Sequence, residues 1–444
     1  MKQEVVAVRD SCRVCGSKPL IPILSIGDVY VSDFIKDEAL EKEWGKFPLE
    51  LVLCNKNAGG PPASASSAGE WRAGCGLLQL KHTLSHDALY RQYWYRSGIN
   101  RTMTDELLSI AKKVESIVDL KAGDYAIDIG ANDGTLFTGY TVKGLNKVGY
   151  EPSKNIVKYI KDPEVNLIND YFNAAAWTQK FGGAKAKAIT AIAMFYDLEE
   201  PNKFMQDIKT CLAPEGVFIV QMMYLPLMLT QTDYDNIGHE HLEYYALGPM
   251  EYLFEKNGME ICDAELNYIN GGSFRVYARH KGQGKSIKLA PGAPERVQKM
   301  RDDEDKLGLY DKKAYDEFAA RAETLKNQLV LFIKGEVAKG KTIYVYGAST
   351  KGNTTLQYCG LEYPLIKAAA ERNPDKWGLK TVGTHIPIIS EEQARKDKPD
   401  YFLALPWHFM EEFLEREREY LKAGGKFLTP LPRVEVIGAE ALKN

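Results

Sequence analysis

The sequence predicts an α/β protein in which two sheet-and-helix units follow one another behind a short cysteine-bearing segment. Short apolar runs alternate with amphipathic stretches from about residue 116 to 282, the pattern of a doubly wound parallel sheet. The alternation returns after residue 339. Four of the seven cysteines lie before residue 76, ahead of both units. A chain of 444 residues exceeds one ordinary core, so several domains are expected. We read them as 1–87 with a flexible Gly/Pro/Ser insertion at 55–74, then 88–282, a charged helical linker at 283–338, and 339–444.

Cys12 and Cys15 form a CxxC, whose tight turn aims two sulfurs at one ion. Cys54 ends the apolar run LELVLC, and Cys75 lies in GCGLLQL beyond the insertion. Loop closure costs rise slowly with length, so the insertion leaves a four-thiolate site open to formation. The reading is structural zinc on Cys12, Cys15, Cys54 and Cys75, with no open position for catalysis. Cys211, Cys262 and Cys359 sit in apolar contexts and read as buried small hydrophobes.

In the first α/β unit, the run YAIDIG leads into Gly130, Asn132 and Gly134. This G-x-x-x-G differs from the G-x-G-x-x-G that lets a pyrophosphate pack against backbone. Asp128 closes the strand and suits a cationic amine. Glu151, after NKVGY, falls where a ribose diol would lie, and Asp170, after VNLI, suits an adenine amino group. The ordered set reads as a cradle for an adenosyl cofactor, S-adenosylmethionine, with NAD as the competitor. We expect a helix to start tightly after the turn.

The segment YDNIGHEHLEYY holds His239 and His241, two of the seven histidines, around Glu240. It follows the strand GVFIVQMMY at the sheet's C-terminal rim, where α/β enzymes bind their ligands. Imidazole titrates near neutrality and suits a general base; a structural histidine pair is the plainer alternative. In the second unit, Ser349, Lys351 and Asn353 follow the strand KTIYVY, where a helix start would attract phosphate. Trp377 would stack on a base or merely pack, and His385 reads as a loop residue.

The formal net charge of −3 shows no basic excess, and no run of about 18 apolar residues occurs. Neither nucleic acid nor membrane is expected as a partner. A polar start argues for a cytoplasmic protein, and a monomer is expected.

Taken together, CRVCG, CGLLQL, YRSGINRTM, DIGANDG, GYEPS, AMFYDLEEP, GHEHLEYY, NGGSFRV, YGASTKGN and GTHIPII resemble the zinc-containing, three-domain nucleotide-sugar C-methyltransferases, the kijanose-type sugar 3-C-methyltransferases among them. The resemblance runs from about Cys12 to Ile437. It implies an N-terminal zinc-binding domain followed by two tandem Rossmann-like α/β domains, the first for S-adenosylmethionine and the second for the nucleotide sugar. It further implies that His241 is the base, with His239, Glu240 and Tyr95 in the sugar pocket, and that the substrate is an NDP-4-keto-6-deoxy sugar, dTDP-linked. Two positions depart from the pattern: Gly238 stands for a tyrosine and Asp197 for a histidine. An NAD-dependent nucleotide-sugar oxidoreductase or epimerase, and a non-catalytic zinc-containing binding protein, remain the alternatives.

Overall fold

The computed structural model describes residues 6–54, 74–85, 89, 93–283 and 287–442. The expected flexible insertion at 55–74 lies outside the described residues, apart from Gly74.

The larger sheet has seven strands in the order Val165–Ile168, Asn146–Tyr150, Tyr125–Ile129, Ala186–Ile192, Leu212–Met223, Ser273–His280 and Met259–Asn267. Its first five strands run parallel and are rich in Val, Ile and Ala, as strands buried on both faces must be. Ser273–His280 runs against both neighbours, so the sheet is mixed, where the alternation predicted a parallel one. The cause is the turn before it. Asn270, Gly271 and Gly272 stand at φ 54°, 89° and 134°, a short reversal. A parallel crossover would need about a dozen residues or more.

Chain order reverses between Tyr125–Ile129 and Ala186–Ile192, which opens a crevice at the C-terminal ends of these strands. The expected helix after the glycine turn is absent. Thr135–Gly139 forms only a five-residue 3-10 segment. A longer helix, Arg101–Ile117, covers this region. Asn100 caps it, accepting from the Met103 N–H at 3.3 Å. Leu107, Ile110, Ala111, Val114 and Ile117, at helical spacing, form its buried face.

The second sheet runs Ile388–Ser390, Ala369–Glu371, Ile343–Tyr346, Tyr401–Ala404, Lys426–Thr429 and Glu435–Ile437, with only the last strand antiparallel. It reverses order between Ile343–Tyr346 and Tyr401–Ala404, as the first sheet does. Here the turn leads into a true α-helix, Thr350–Cys359. Between the sheets lie helices Ala293–Leu307 and Lys312–Ala338, separated at Gly308, whose φ of 71° ends the first of them. The charged composition of the second conceals a buried stripe of Tyr315, Phe318, Ala322, Leu329 and Ile333.

The N-terminal strands Leu20–Val29, Phe47–Cys54 and Leu78–Leu80 form an antiparallel sheet. Its fourth strand, Glu243–Tyr244, comes from the HEH segment of the first α/β unit. Phe34–Ile35 pairs with Lys380–Thr381 of the second unit. One hydrophobic core joins Leu51 and Leu78 to Ile237 and Leu242, to the linker stripe, and to Val345 and Leu403. The three parts therefore share one interior, and the HEH segment lies at their meeting point.

Candidate functional site

Two cavities meet at that point. One, of about 390 Å³, lies at the switch point of the first sheet and is lined by Asp128, Gly130, Asn132, Glu151 and Asp170 among others. The other, of about 310 Å³, lies between the two α/β units and is lined by Tyr95, Glu240, His241, Ser349 and Lys351 among others. Tyr93, Tyr95, Ala193, Asp197 and Asn270 line both. Ala193 and Asn270 hold φ of 54°, a left-handed conformation costly for residues with a Cβ, at this shared wall.

The first cavity is built by strand ends. Asp128 is buried and accepts from Thr190 Oγ1 at 2.6 Å. Burial pushes its carboxyl up to about 7, and nearby Glu151 adds to the rise. Glu151 accepts the Asn132 and Ser153 N–H groups at 3.0 and 2.8 Å, which fixes the glycine turn against the second strand. Asn132 in turn accepts from Ser97 N–H at 3.0 Å and donates to the Tyr95 carbonyl at 3.1 Å. Gly130 stands at φ 71°, and a Cβ there would meet Met194 Cγ at 3.2 Å. Gly134 also has positive φ but does not line the cavity. Asp170 is exposed at the rim. Lys203 is the single Lys or Arg lining this cavity among the described residues.

That lining fits S-adenosylmethionine, whose sulfonium and amine are cationic, and opposes a dinucleotide. Clustered carboxylates repel a pyrophosphate, and the 3-10 segment offers no α-helix N-terminus to hold one.

In the second cavity, His241 places Nδ1 2.7 Å from the Asn236 carbonyl oxygen. A carbonyl only accepts, so Nδ1 carries the proton and Nε2 keeps its lone pair. Nε2 has no hydrogen-bond partner among the described residues. Burial pulls the imidazole below its ordinary value, despite the opposing pull of Glu240, so the ring stays neutral. Tyr196 packs edge-on against it at 4.6 Å. His239, expected beside it, turns away: its Nε2 faces the Phe47 carbonyl at 3.3 Å, and it lines neither cavity. A turn at residues 239–240, closed by the His241 N–H donating to the Gly238 carbonyl at 3.0 Å, separates the two imidazoles.

The second unit contributes unevenly. Ser349 Oγ accepts the Gly352 N–H at 3.0 Å and caps the helix. Lys351 Nζ donates to Asn236 Oδ1. Asn353 is buried and donates to the Asp33 carbonyl at 2.8 Å, so it holds the N-terminal part and lines neither cavity. Trp377 is exposed and donates to the Glu371 carbonyl at 2.8 Å, away from both cavities. His385 pairs with Glu41 at 2.9 Å, a strut to the N-terminal part.

Sequence reasoning missed Arg372, Lys376, His408 and Arg416 as lining residues. They follow two different strands of the second sheet, Ala369–Glu371 and Tyr401–Ala404, and no local motif marks them. Asn236 was also passed over. Its place three residues before the HEH was the only available signal, and it holds both His241 and Lys351.

Cys12 and Cys75 Sγ lie 3.5 Å apart, as do Cys15 and Cys54 Sγ, and all four sulfurs fall within 4.8 Å of one another. A tetrahedral ion with bonds of about 2.3 Å separates its sulfurs by about 3.8 Å, so the cluster fits such an ion. Cys211, Cys262 and Cys359 are buried apart from it.

Comparison with known proteins defines the class. Residues 95–264 match the family described as a methyltransferase domain. Residues 268–432 match the C-methyltransferase C-terminal domain. Over 441 residues, 99% of either chain, the sequence is 29% identical to the C-methyltransferase NovU of Streptomyces niveus. Among solved structures, a methyltransferase complex with Trm112 from Haloferax volcanii aligns with 41% of this chain and 94% of that one, at 14% identity and a TM-score of 0.33. Magnesium protoporphyrin IX methyltransferase from Synechocystis PCC 6803 aligns with 41% of this chain and 88% of that one, at 14% identity and a TM-score of 0.31. Scores this low carry no weight in the assignment. The chain is an S-adenosylmethionine-dependent methyltransferase. Within that class it is similar to the C-methyltransferases, as its motifs suggested. No helix among the described residues is long and apolar enough to cross a membrane.

Proposed function

We propose that the protein methylates a ring carbon beside the ketone of a nucleotide-linked 4-keto-6-deoxy sugar, with His241 as the base. One observation carries this reading. A neutral imidazole, moored by Nδ1 to the Asn236 carbonyl, lines a cavity that shares a wall with the carboxylate-lined cavity of the first sheet. Bound S-adenosylmethionine supplies an electrophilic methyl group. Asp128, Glu151 and Asp170 hold its cationic and hydroxylated parts, and the turn at Gly130 and Asn132, which Gly134 closes from outside the cavity, lets it approach the backbone.

His241 Nε2 takes the proton from the carbon next to the carbonyl, and the enolate carbon then receives the methyl. Tyr95 and Glu240 line the same cavity and contact the sugar. The nucleotide lies along the second sheet, where Ser349, Arg372, Lys376 and Arg416 face it. The four cysteines hold a structural zinc ion. The chemistry needs neither nucleic acid nor membrane.

The test is an assay with methyl-labelled S-adenosylmethionine and nucleotide-linked ketosugars, read by carbon NMR. A new carbon–methyl bond beside the carbonyl is expected. Label on oxygen or nitrogen, or no transfer with any ketosugar, removes the reading. Calorimetry should show S-adenosylhomocysteine bound and NAD ignored; the reverse favours an oxidoreductase.

A further inference from the structure

Removing a proton beside a ketone leaves an enolate, whose oxygen needs a cation or a strong donor in place. Lys351 is the side chain placed to provide one. It lines the cavity between the α/β units, and it also lines a smaller recess with His241, Tyr196, Ala193 and Asn270. Its Nζ donates to Asn236 Oδ1, while the backbone carbonyl of the same Asn236 receives His241 Nδ1 at 2.7 Å. One residue thus moors both the ammonium and the imidazole.

Two buried acids stand behind this ammonium. Asp235 accepts from Trp407 Nε1 at 3.1 Å through one oxygen, and its other oxygen has no partner among the described residues. Asp233 likewise has a buried oxygen with no partner among the described residues. Burial pulls the Lys351 ammonium below its ordinary value, and Asp235, Asp233 and Glu240 pull it back up. A cation supported in this way toward a catalytic imidazole is not arranged as a surface phosphate ligand.

We propose that Lys351 is a catalytic residue whose ammonium holds the ketone oxygen of the substrate while His241 takes the α-proton. This rests on the C-methyltransferase reading above and replaces the diphosphate role that the sequence suggested for the lysine. The step balances. The C–H bonding pair becomes the new carbon–carbon π bond, the carbonyl π pair moves to oxygen beside Nζ, and the proton goes to His241 Nε2. The enolate carbon then bonds the methyl, whose former bonding pair stays on the donor sulfur, and the carbonyl re-forms. His241 returns its proton to water.

The experiment compares wild type, Lys351→Met and Lys351→Arg, each saturated with S-adenosylhomocysteine in D₂O. Proton NMR follows loss of the α-hydrogen of a nucleotide-linked 4-keto-6-deoxy sugar, and methyl transfer is measured in separate samples with S-adenosylmethionine in place of S-adenosylhomocysteine. Lys351→Met is expected to lose both rates by about 10²–10³-fold, the effect of removing one oxyanion donor, while nucleotide-sugar affinity falls by at most about tenfold. Lys351→Arg should recover part of the exchange. Unchanged S-adenosylhomocysteine binding certifies the fold; where Lys351→Met loses it, Lys351→Gln takes its place. Exchange at the wild-type rate in the neutral variants, or a raised KM with kcat retained, overturns the role and leaves the function standing. A wild type that neither exchanges nor methylates overturns both.

Discussion

The two α/β sheets place a cavity at the same topological corner and equip it differently. In each, strand order reverses beside the first strand, and the loops after that strand and its neighbours form the wall. In each, a glutamate at or just past the end of the second strand accepts backbone N–H groups: Glu151 from Asn132 and Ser153, Glu371 from Arg372 and Asn373. The first cavity is then lined by Asp128, Glu151 and Asp170, with Lys203 as its one Lys or Arg among the described residues, and a 3-10 segment follows its turn. The second carries Lys351, Arg372, Lys376 and Arg416 among its acids, and an α-helix capped by Ser349 follows its turn. A shared backbone frame therefore says little about the ligand. The sign of the charges and the presence of a helix N-terminus decide whether a cation or an anion is welcome.

The comparison breaks most decisively at the shared wall. His241→Ala should lower methyl transfer by about 10²–10⁴-fold, the usual worth of a general base, with S-adenosylhomocysteine affinity nearly unchanged by calorimetry. Full activity would leave the two cavities with no chemistry between them. Since only neutral His241 accepts a proton and burial lowers its pKa, the acid limb of the rate profile should fall below 6.5, the ordinary imidazole value. A limb above that value contradicts the neutral assignment.

Charge selectivity comes next. Asp128→Ala should weaken S-adenosylmethionine binding about 10- to 100-fold through a lost charge-assisted contact, and leave nucleotide-sugar binding alone. Equal losses at both sites would erase the proposed division of labour. The N-terminal sheet lends its edge to Glu243–Tyr244, so it is tested by Cys12→Ser. We expect elemental analysis to show about one zinc per chain lost, and the melting temperature to fall by roughly 5 °C or more. Metal retained with an unshifted transition counts against the thiolate site. The smallest effect is expected at Arg372, which is exposed and 3.6 Å from Glu412. Arg372→Ala should raise the KM for the nucleotide sugar only about two- to fivefold, as a solvent-screened contact would, with kcat retained.

Much of the first cavity was legible because its residues lie in short motifs at strand ends. Asp128, Gly130 and Asn132 belong to one strand end and its turn, and Glu151 directly follows the next strand. Alternation of apolar runs likewise marked the ten parallel strands of the two sheets, because burial on both faces demands it. Legibility faded where partners are distant. His239 and His241 look equivalent in sequence, yet one faces Phe47, 192 residues away, and the other faces the cavity. Asn353 was grouped with Ser349 and Lys351, but its amide reaches Asp33, 320 residues away.

By itself, the sequence determined the alternation of strands and helices, the cysteines that cluster and the acid-lined turn, since each depends on spacing within a few residues or on composition. Tertiary structure alone decided which imidazole meets the cavity, that the HEH segment completes the N-terminal sheet, and that Lys351 shares Asn236 with His241. The physical reason is range. Backbone periodicity and tight turns are local, whereas the direction of a side chain in a shared core depends on what the rest of the chain packs against it.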